Sequence, residues 1–160
     1  MRRLICAAAL SLCAALHADV VRPAPNFDVQ GAPKGTSLRT FRGQAVILLI
    51  TRKARDKQFR EEIYRLQKLY SQFSTEKVLF VAAIEEGPQE VKSDIPFILA
   101  VNPGQVAADY GFNGHWAIAV IGVDGNVDLV TNRLITAERV RDTVYNNFEL
   151  QSAARKPIGS

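Results

Sequence analysis

The stretch that decides the fold is AVILLI, residues 45–50. A continuous apolar run of this length, rich in β-branched residues, is typical of a strand that is covered on both faces of a sheet. We therefore place this strand at the centre of the domain. Residues 78–84 form a second run of the same kind and predict a second buried strand.

Between these two runs, apolar residues recur at intervals of three and four over residues 55–73, which predicts an amphipathic helix. Its apolar face consists of Phe59, Ile63, Leu66, Leu69, Tyr70 and Phe73. Glu61 and Arg65 can pair on the opposite face. The helix would begin shortly after the central strand ends.

The second half of the chain predicts shorter elements. Residues 95–101 contain a proline, which cannot donate to a central ladder, and therefore predict an edge strand. Residues 103–110 predict a short helix that opens with proline.

A hairpin and a helix are predicted to close the domain. Residues 116–123 are apolar, Asp-Gly-Asn at 124–126 is a strong turn signal, and residues 127–130 return as a second strand. Thr136 can cap a closing helix. Strands that alternate with helices and end in this way predict an α/β domain with a mixed central sheet flanked by helices.

The two ends of the chain differ from the domain. Residues 1–18 combine Arg2 and Arg3 with an apolar run and small residues, the pattern of a bacterial secretory signal, so we expect export to the periplasm or secretion. The run is too short to span a bilayer, and no stable membrane anchor is expected. Residues 19–149 are predicted to be one domain, which opens with a proline-rich extended segment, and residues 150–160 a disordered tail.

Both cysteines, Cys6 and Cys13, lie in the predicted signal. Cleavage after Ala15 or Ala18 would remove them and leave a mature chain without a thiol. Alternatively Cys13 could carry a lipid, although Leu12 before it is larger than the usual pattern allows. Removal of the signal also takes two positive charges from the formal net charge of +4. The charge that remains does not indicate a nucleic-acid partner.

Several segments resemble the redoxin branch of the thioredoxin-like superfamily, which includes peroxiredoxins and exported thiol-disulfide oxidoreductases. They are the opening segment, the end of the first long helix and much of the second half: residues 25–27, Gly35, Leu38, 41–43, 66–70, 95–97, 107–111, Gly114 and 124–125. The resemblance covers residues 22–148 and depends on the order and spacing of the segments rather than on any one motif. It implies a thioredoxin-like fold.

The positions that carry the family's redox chemistry differ in this chain. The resemblance places the reactive cysteines at Asp56 and Phe59 and the cis-proline at Trp116. Neither aspartate nor phenylalanine can exchange disulfides, and the peptide bond before Trp116 is expected to be trans because a cis bond before a non-proline residue costs about 2.5–4 kcal/mol. We therefore expect no catalytic residue, no cofactor, and neither thiol-disulfide nor peroxidase activity.

Five cations stand between the central strand and the start of the long helix: Arg52, Lys53, Arg55, Lys57 and Arg60. One interpretation is an anion site, in which these side chains and the free backbone N–H groups of the first helical turn receive a phosphate, sulfate or carboxylate. The other is a solvated loop, with Asp56 as the helix N-cap and with Glu61 and Glu62 offsetting the charge.

Two further residues lie near this segment in the predicted fold. His115 is the only histidine outside the signal, so no multi-histidine metal site can form, and no metal is expected. It would face Asp56 across the former redox site, as a His–Asp pair or as a surface loop residue. Trp116 could fill the groove where relatives bind peptides, or present an aromatic anchor to a partner.

These observations predict an exported binding module without redox-active thiols. Its contact surface would be the former active-site face, formed by residues 52–60, 114–116 and 94–96, and its partner an envelope protein or a small anion. Two alternatives remain: a redoxin-type oxidoreductase that acts with a partner's thiols, and a structural subunit of an envelope assembly.

Overall fold

The computed structural model describes residues 22–31, 33, 35–68, 70–73 and 78–155. Six strands form one sheet: β1 Arg22–Pro23, β2 Ala45–Lys53, β3 Val78–Glu86, β4 Phe97–Leu99, β5 Trp116–Ile121 and β6 Asn126–Thr131. Their order is β1-β6-β5-β2-β3-β4. The β2–β3 and β3–β4 pairs are parallel and the other pairs are antiparallel. The predicted mixed sheet is confirmed.

Within the described ranges, four helices cover the sheet: α1 Lys57–Gln67, α2 Tyr70–Phe73, α3 Pro103–Asp109 and α4 Ala137–Arg155. The core shared by α1, α2 and α4 lies on one face, and α3 packs on the other with the segment before β2 and its 3-10 turn Leu38–Phe41. Helix α4 continues past Leu150, where the predicted tail begins. The predicted signal, residues 1–18, lies outside the described residues.

The stretch at residues 45–50 is the central strand that the sequence predicts. All six side chains are buried because β2 lies between β3 and β5 and is covered on both faces. Ile47 and Leu49 belong to the core under α1 and α4, whereas Val46 and Leu48 belong to the core under α3. The strand continues to Lys53 and so carries the chain directly to the start of α1.

Two predicted elements, the long helix and the edge strand, differ in length from the observed ones. The helix expected over 55–73 is divided into α1 and α2, and it begins at Lys57 because residues 54–55 form a turn in which the Asp56 N–H donates to the Lys53 carbonyl at 2.9 Å. Leu69 lies outside the described residues. The predicted edge strand 95–101 is confirmed at the sheet edge, but its regular part is limited to β4, after the proline at position 96.

The hairpin signal is confirmed. Gly125 has φ +82°, a left-handed conformation that suits glycine, and the Asp124 carboxylate accepts from the backbone and side-chain amides of Asn126 at 3.0 and 2.7 Å. At the start of α4, the Thr136 hydroxyl accepts from the Arg139 N–H at 3.2 Å, as predicted for a cap. Within the described part of the chain, no helix has the length and apolar character that crossing a membrane requires.

Candidate binding site

A groove of about 910 Å³ lies where β2 and β3 end and α1 begins. One wall is the turn after β2 with the outer side of α1, and the other is the loop 87–92 that follows β3. The parallel pairing of β2 with β3 creates this arrangement, because both strands deliver their following segments to the same edge of the sheet. The groove is therefore built from two segments that lie far apart in the sequence.

Asp56 is the N-cap of α1, as the sequence predicts. Its Oδ1 accepts from the backbone N–H groups of Gln58 and Phe59 at 2.9 and 3.1 Å. Because the protein's own carboxylate occupies these first-turn donors, they are not free for an external anion. The Gln58 and Phe59 N–H groups therefore do not belong to the predicted anion site, and its cationic side chains remain candidates for contact with an anionic partner.

The structure divides the five predicted cations into two groups. Lys53, Arg55 and Arg60 line the groove, whereas Arg52 and Lys57 are exposed outside it. Sequence reasoning missed Lys92, which reaches the groove from the loop after β3. That loop has neither periodicity nor a motif, so only its position in the fold reveals this cation.

Two carboxylates share the rim with these cations. Lys53 Nζ lies 3.2 Å from Glu86 Oε2, because the β2–β3 register places the two residues opposite each other. Glu90, in the loop after β3, is the second carboxylate that lines the groove. Both side chains of the pair are about half exposed, and such pairs contribute roughly 0–1 kcal/mol. Among the described residues, Arg55 and Arg60 form no ion pair and keep their charges available to a ligand.

The groove also has apolar walls. Phe59 is buried, as predicted, and forms part of the floor with Ile63, while Val91 lies on the opposite wall. Tyr64 is 57% exposed on the outer side of α1, and Lys68 Nζ lies 4.6 Å above its ring. The site thus combines a cationic rim with an apolar and aromatic interior.

The loop that contains His115 is fixed to the end of β2 rather than to the groove. The His115 carbonyl accepts from the Arg52 N–H at 3.1 Å and from the Thr51 hydroxyl at 3.0 Å. The His115 side chain is exposed and, among the described residues, forms no hydrogen bond with Asp56, whose Oδ1 caps α1. The predicted His–Asp pair is not formed. Neither residues 114–116 nor 94–96 line the groove.

Trp116 is a core residue and offers no surface to a partner. Its side chain is 1% exposed, and it packs in the core between the sheet and α1. Of the two predicted roles, the structure supports the filling one: the Trp116 side chain occupies the interior and does not present an aromatic anchor to a partner. The described part of the chain contains no cis peptide bond, so the bond before Trp116 is trans, as predicted.

The same core layer holds a buried acid, Glu62, which the solvated-loop interpretation assigns to offsetting the cations. Glu62 has no solvent exposure, and its Oε2 accepts from the Ile135 N–H at 3.2 Å. Burial raises the pKa of Glu62 to about 7, against the opposing effects of the Ile135 N–H and the Arg65 charge. Glu62 Oε1 and Trp116 Nε1 are buried without a hydrogen-bond partner among the described residues.

A second, smaller cavity of about 340 Å³ lies beneath the loop 110–114, on the α3 side of the sheet. No charged side chain lines it. Tyr110 beside it is buried and donates from its hydroxyl to the Pro25 carbonyl at 3.1 Å. The cationic groove is therefore the better candidate for binding an anionic partner.

Solved structures that are similar to this chain include proteins named as thioredoxin-like. A thiol:disulfide interchange protein of the thioredoxin family from Chlorobium tepidum TLS is similar with a TM-score of 0.60 and 18% identity, over 79% of this chain and 96% of that one. The fold is thioredoxin-like. This confirms the prediction that the sequence resemblance makes.

Two other solved structures support the thioredoxin-like fold. Peroxidoxin BcpB from Mycobacterium tuberculosis is similar with a TM-score of 0.55 and 17% identity, over 85% of this chain and 97% of that one. The exposed lipoprotein thioredoxin Etrx1 from Streptococcus pneumoniae gives a TM-score of 0.51 and 14% identity, over 69% of this chain and 90% of that one. At these identities the similarity establishes the fold alone. No protein-family model matches the chain, and no curated protein matches it by sequence.

Proposed function

We propose that this chain is an exported thioredoxin-fold protein that binds a partner without thiol chemistry of its own. The observation that carries the proposal is the groove beside the start of α1, where Arg55 and Arg60 form no ion pair within the described part of the chain. The binding surface is this groove, which lies next to the position of the redox site in thiol-active relatives.

The residues at the former redox positions support a role in binding rather than catalysis. Asp56 Oδ1 is engaged in capping α1, and the Phe59 ring is 1% exposed and has no reactive group. Thiol-disulfide exchange requires a thiolate at this helix start, and neither residue carries a thiol.

Export is part of the same proposal. It is supported by the signal pattern at residues 1–18, with its two arginines and apolar run. One of the similar structures is named as an exposed lipoprotein thioredoxin, which is compatible with such a location for this fold.

The first test is the absence of redox turnover. Protein purified after expression of the full chain is assayed for reduction of insulin disulfides and for peroxide consumption, with thioredoxin as the positive control. We expect neither activity. Turnover that survives removal of contaminating thioredoxins would contradict the proposal and favour a redoxin-type oxidoreductase.

The second test addresses binding at the groove. Envelope extract is passed over the immobilised protein and over a variant with Arg55→Glu and Arg60→Glu. A matched control reverses Arg39 and Arg133, two exposed arginines outside the groove. We expect a partner that the protein and the control variant retain and that the groove variant loses. Equal retention by all three would contradict binding at this surface.

A further inference from the structure

The groove suits an extended acidic polypeptide segment with apolar side chains better than it suits a compact anion, and we infer that such a segment is its ligand. This inference depends on the proposed binding function and specifies the chemistry of the partner. It follows from the placement of the cations on both sides of the groove, from the apolar interior and from the position of the two rim carboxylates.

A compact anion finds no convergent site in the groove. Asp56 already accepts from the first-turn N–H groups of α1, which are the donors that usually hold a phosphate at a helix start. The cations lie on both sides of the groove: Arg55 and Arg60 on the α1 side and Lys92 in the facing loop. A cavity of about 910 Å³ is also far larger than one phosphate or sulfate fills.

The interior of the groove supplies apolar contacts along its length. Ile63 forms part of the floor, Val91 lies in the loop after β3, and Tyr64 presents an exposed aromatic ring on the α1 side. Tyrosine is enriched among the residues that dominate binding energy at protein interfaces, because it buries a large rigid surface and retains a polar group. A ligand that carries only charge would leave this surface unused.

The two rim carboxylates disfavour a continuous polyanion such as a nucleic acid. Glu86 and Glu90 lie on the loop side, where they would repel an unbroken series of phosphates, although Lys53 offsets the first of them at 3.2 Å. A polypeptide can place its carboxylates opposite Arg55 and Arg60 and a neutral or apolar residue opposite the glutamates. The charge pattern of the groove therefore complements an acidic segment in which apolar residues alternate with carboxylates.

The probe for the test is a fluorescein-labelled synthetic peptide in which glutamates alternate with leucines and phenylalanines. Its binding to the protein is measured by fluorescence anisotropy. We expect saturable binding that weakens about tenfold when the peptide's glutamates are replaced by glutamines, and that weakens when salt is raised from ~0.05 to ~0.5 M. Replacement of its leucines and phenylalanines by serines should weaken binding as well.

Protein variants then locate the peptide. The Arg55→Glu, Arg60→Glu variant should lose at least about tenfold in affinity, since two attractive contacts become repulsive, and Tyr64→Ser should also bind more weakly. The variant that reverses Arg39 and Arg133 has the same net charge and should bind as the unmodified protein does. Fluorescence of Trp116, the only tryptophan, verifies that each variant is folded.

Competition experiments distinguish the ligand classes. The peptide is competed with inorganic phosphate and, as a control, with chloride at the same ionic strength. Stronger displacement by phosphate than by chloride would overturn the inference in favour of a small anion. Displacement by a single-stranded oligonucleotide at lower concentration than unlabelled peptide would overturn it in favour of a nucleic acid. Failure of the peptide to bind, while the groove variant still loses an envelope partner, would overturn the ligand class alone. Failure of both experiments would overturn the proposed function as well.

Discussion

Replacement of Glu62 by glutamine should make the protein more stable at alkaline pH. Glu62 has no solvent exposure, and burial raises its pKa from 4.5 to about 7. The folded protein thus retains a proton at this carboxyl between these two pH values, whereas the unfolded chain has released it. Because the folded state binds more protons in this window, the free energy of unfolding falls as pH rises through it.

The magnitude follows from the shift in pKa. Each pKa unit corresponds to about 1.4 kcal/mol, so ionising the buried carboxyl should lower the free energy of unfolding by about 3 kcal/mol between about pH 4.5 and pH 8. Glutamine resembles the protonated acid in shape and charge. The Glu62→Gln variant should therefore match the unmodified protein near pH 4.5 and exceed its stability by about 3 kcal/mol near pH 8.

The assay is urea unfolding at a series of pH values, followed by the fluorescence of Trp116. Glu61→Gln is the matched control, because Glu61 is the next residue in α1 but lies on the surface, where it pairs with Arg65 at 3.2 Å. We expect the control to preserve the pH profile of the unmodified protein. Parallel profiles for Glu62→Gln and the unmodified protein would refute the reasoning, since they would mean that Glu62 ionises with equal ease in the folded and unfolded states.

Three further predictions concern stability. Asp56→Ala removes the cap of α1 and should cost about 1 kcal/mol in urea unfolding, whereas Asp56→Ser should retain most of that stability; equal losses would contradict the capping role. Trp116→Ala should lower the free energy of unfolding by about 3–5 kcal/mol, measured by urea unfolding followed by circular dichroism. A loss below about 1 kcal/mol would show that the indole is not a core residue. Glu86→Gln breaks the half-exposed pair with Lys53 and should change the unfolding free energy by less than about 1 kcal/mol; a larger loss would mean that the pair is shielded from solvent.

The arrangement of Asp56 shows how a local feature can be predicted from sequence. An aspartate directly before a run with helical periodicity predicts a cap, and the Gln58 and Phe59 N–H groups that it accepts from lie two and three residues away. Such an interaction depends only on neighbours in the chain. The Gln58 and Phe59 N–H groups do not contribute to the anion site expected from the same segment, because one carboxylate oxygen of Asp56 accepts from both of them.

The buried Glu62 shows the opposite case. Glu62 directly precedes the buried Ile63 in α1. Because glutamate side chains are mostly exposed in folded proteins, its residue type alone favours a solvated position. The Ile135 N–H that it binds is 73 residues away in the sequence. Only the packing of the segment before α4 against α1 brings the two groups together, and that packing depends on the whole domain.

The sequence by itself determined the elements of this protein and their class. Apolar runs at residues 45–50 and 78–84, the helical periodicity between them and the turn at Gly125 are local patterns, because burial and backbone conformation constrain each of them over a few residues. The tertiary structure alone decided the groove, since the register of β2 against β3 places the loop 87–92 opposite α1. It brought Lys92 to face Arg55 and Arg60, and such long-range proximity leaves no periodic pattern in the chain.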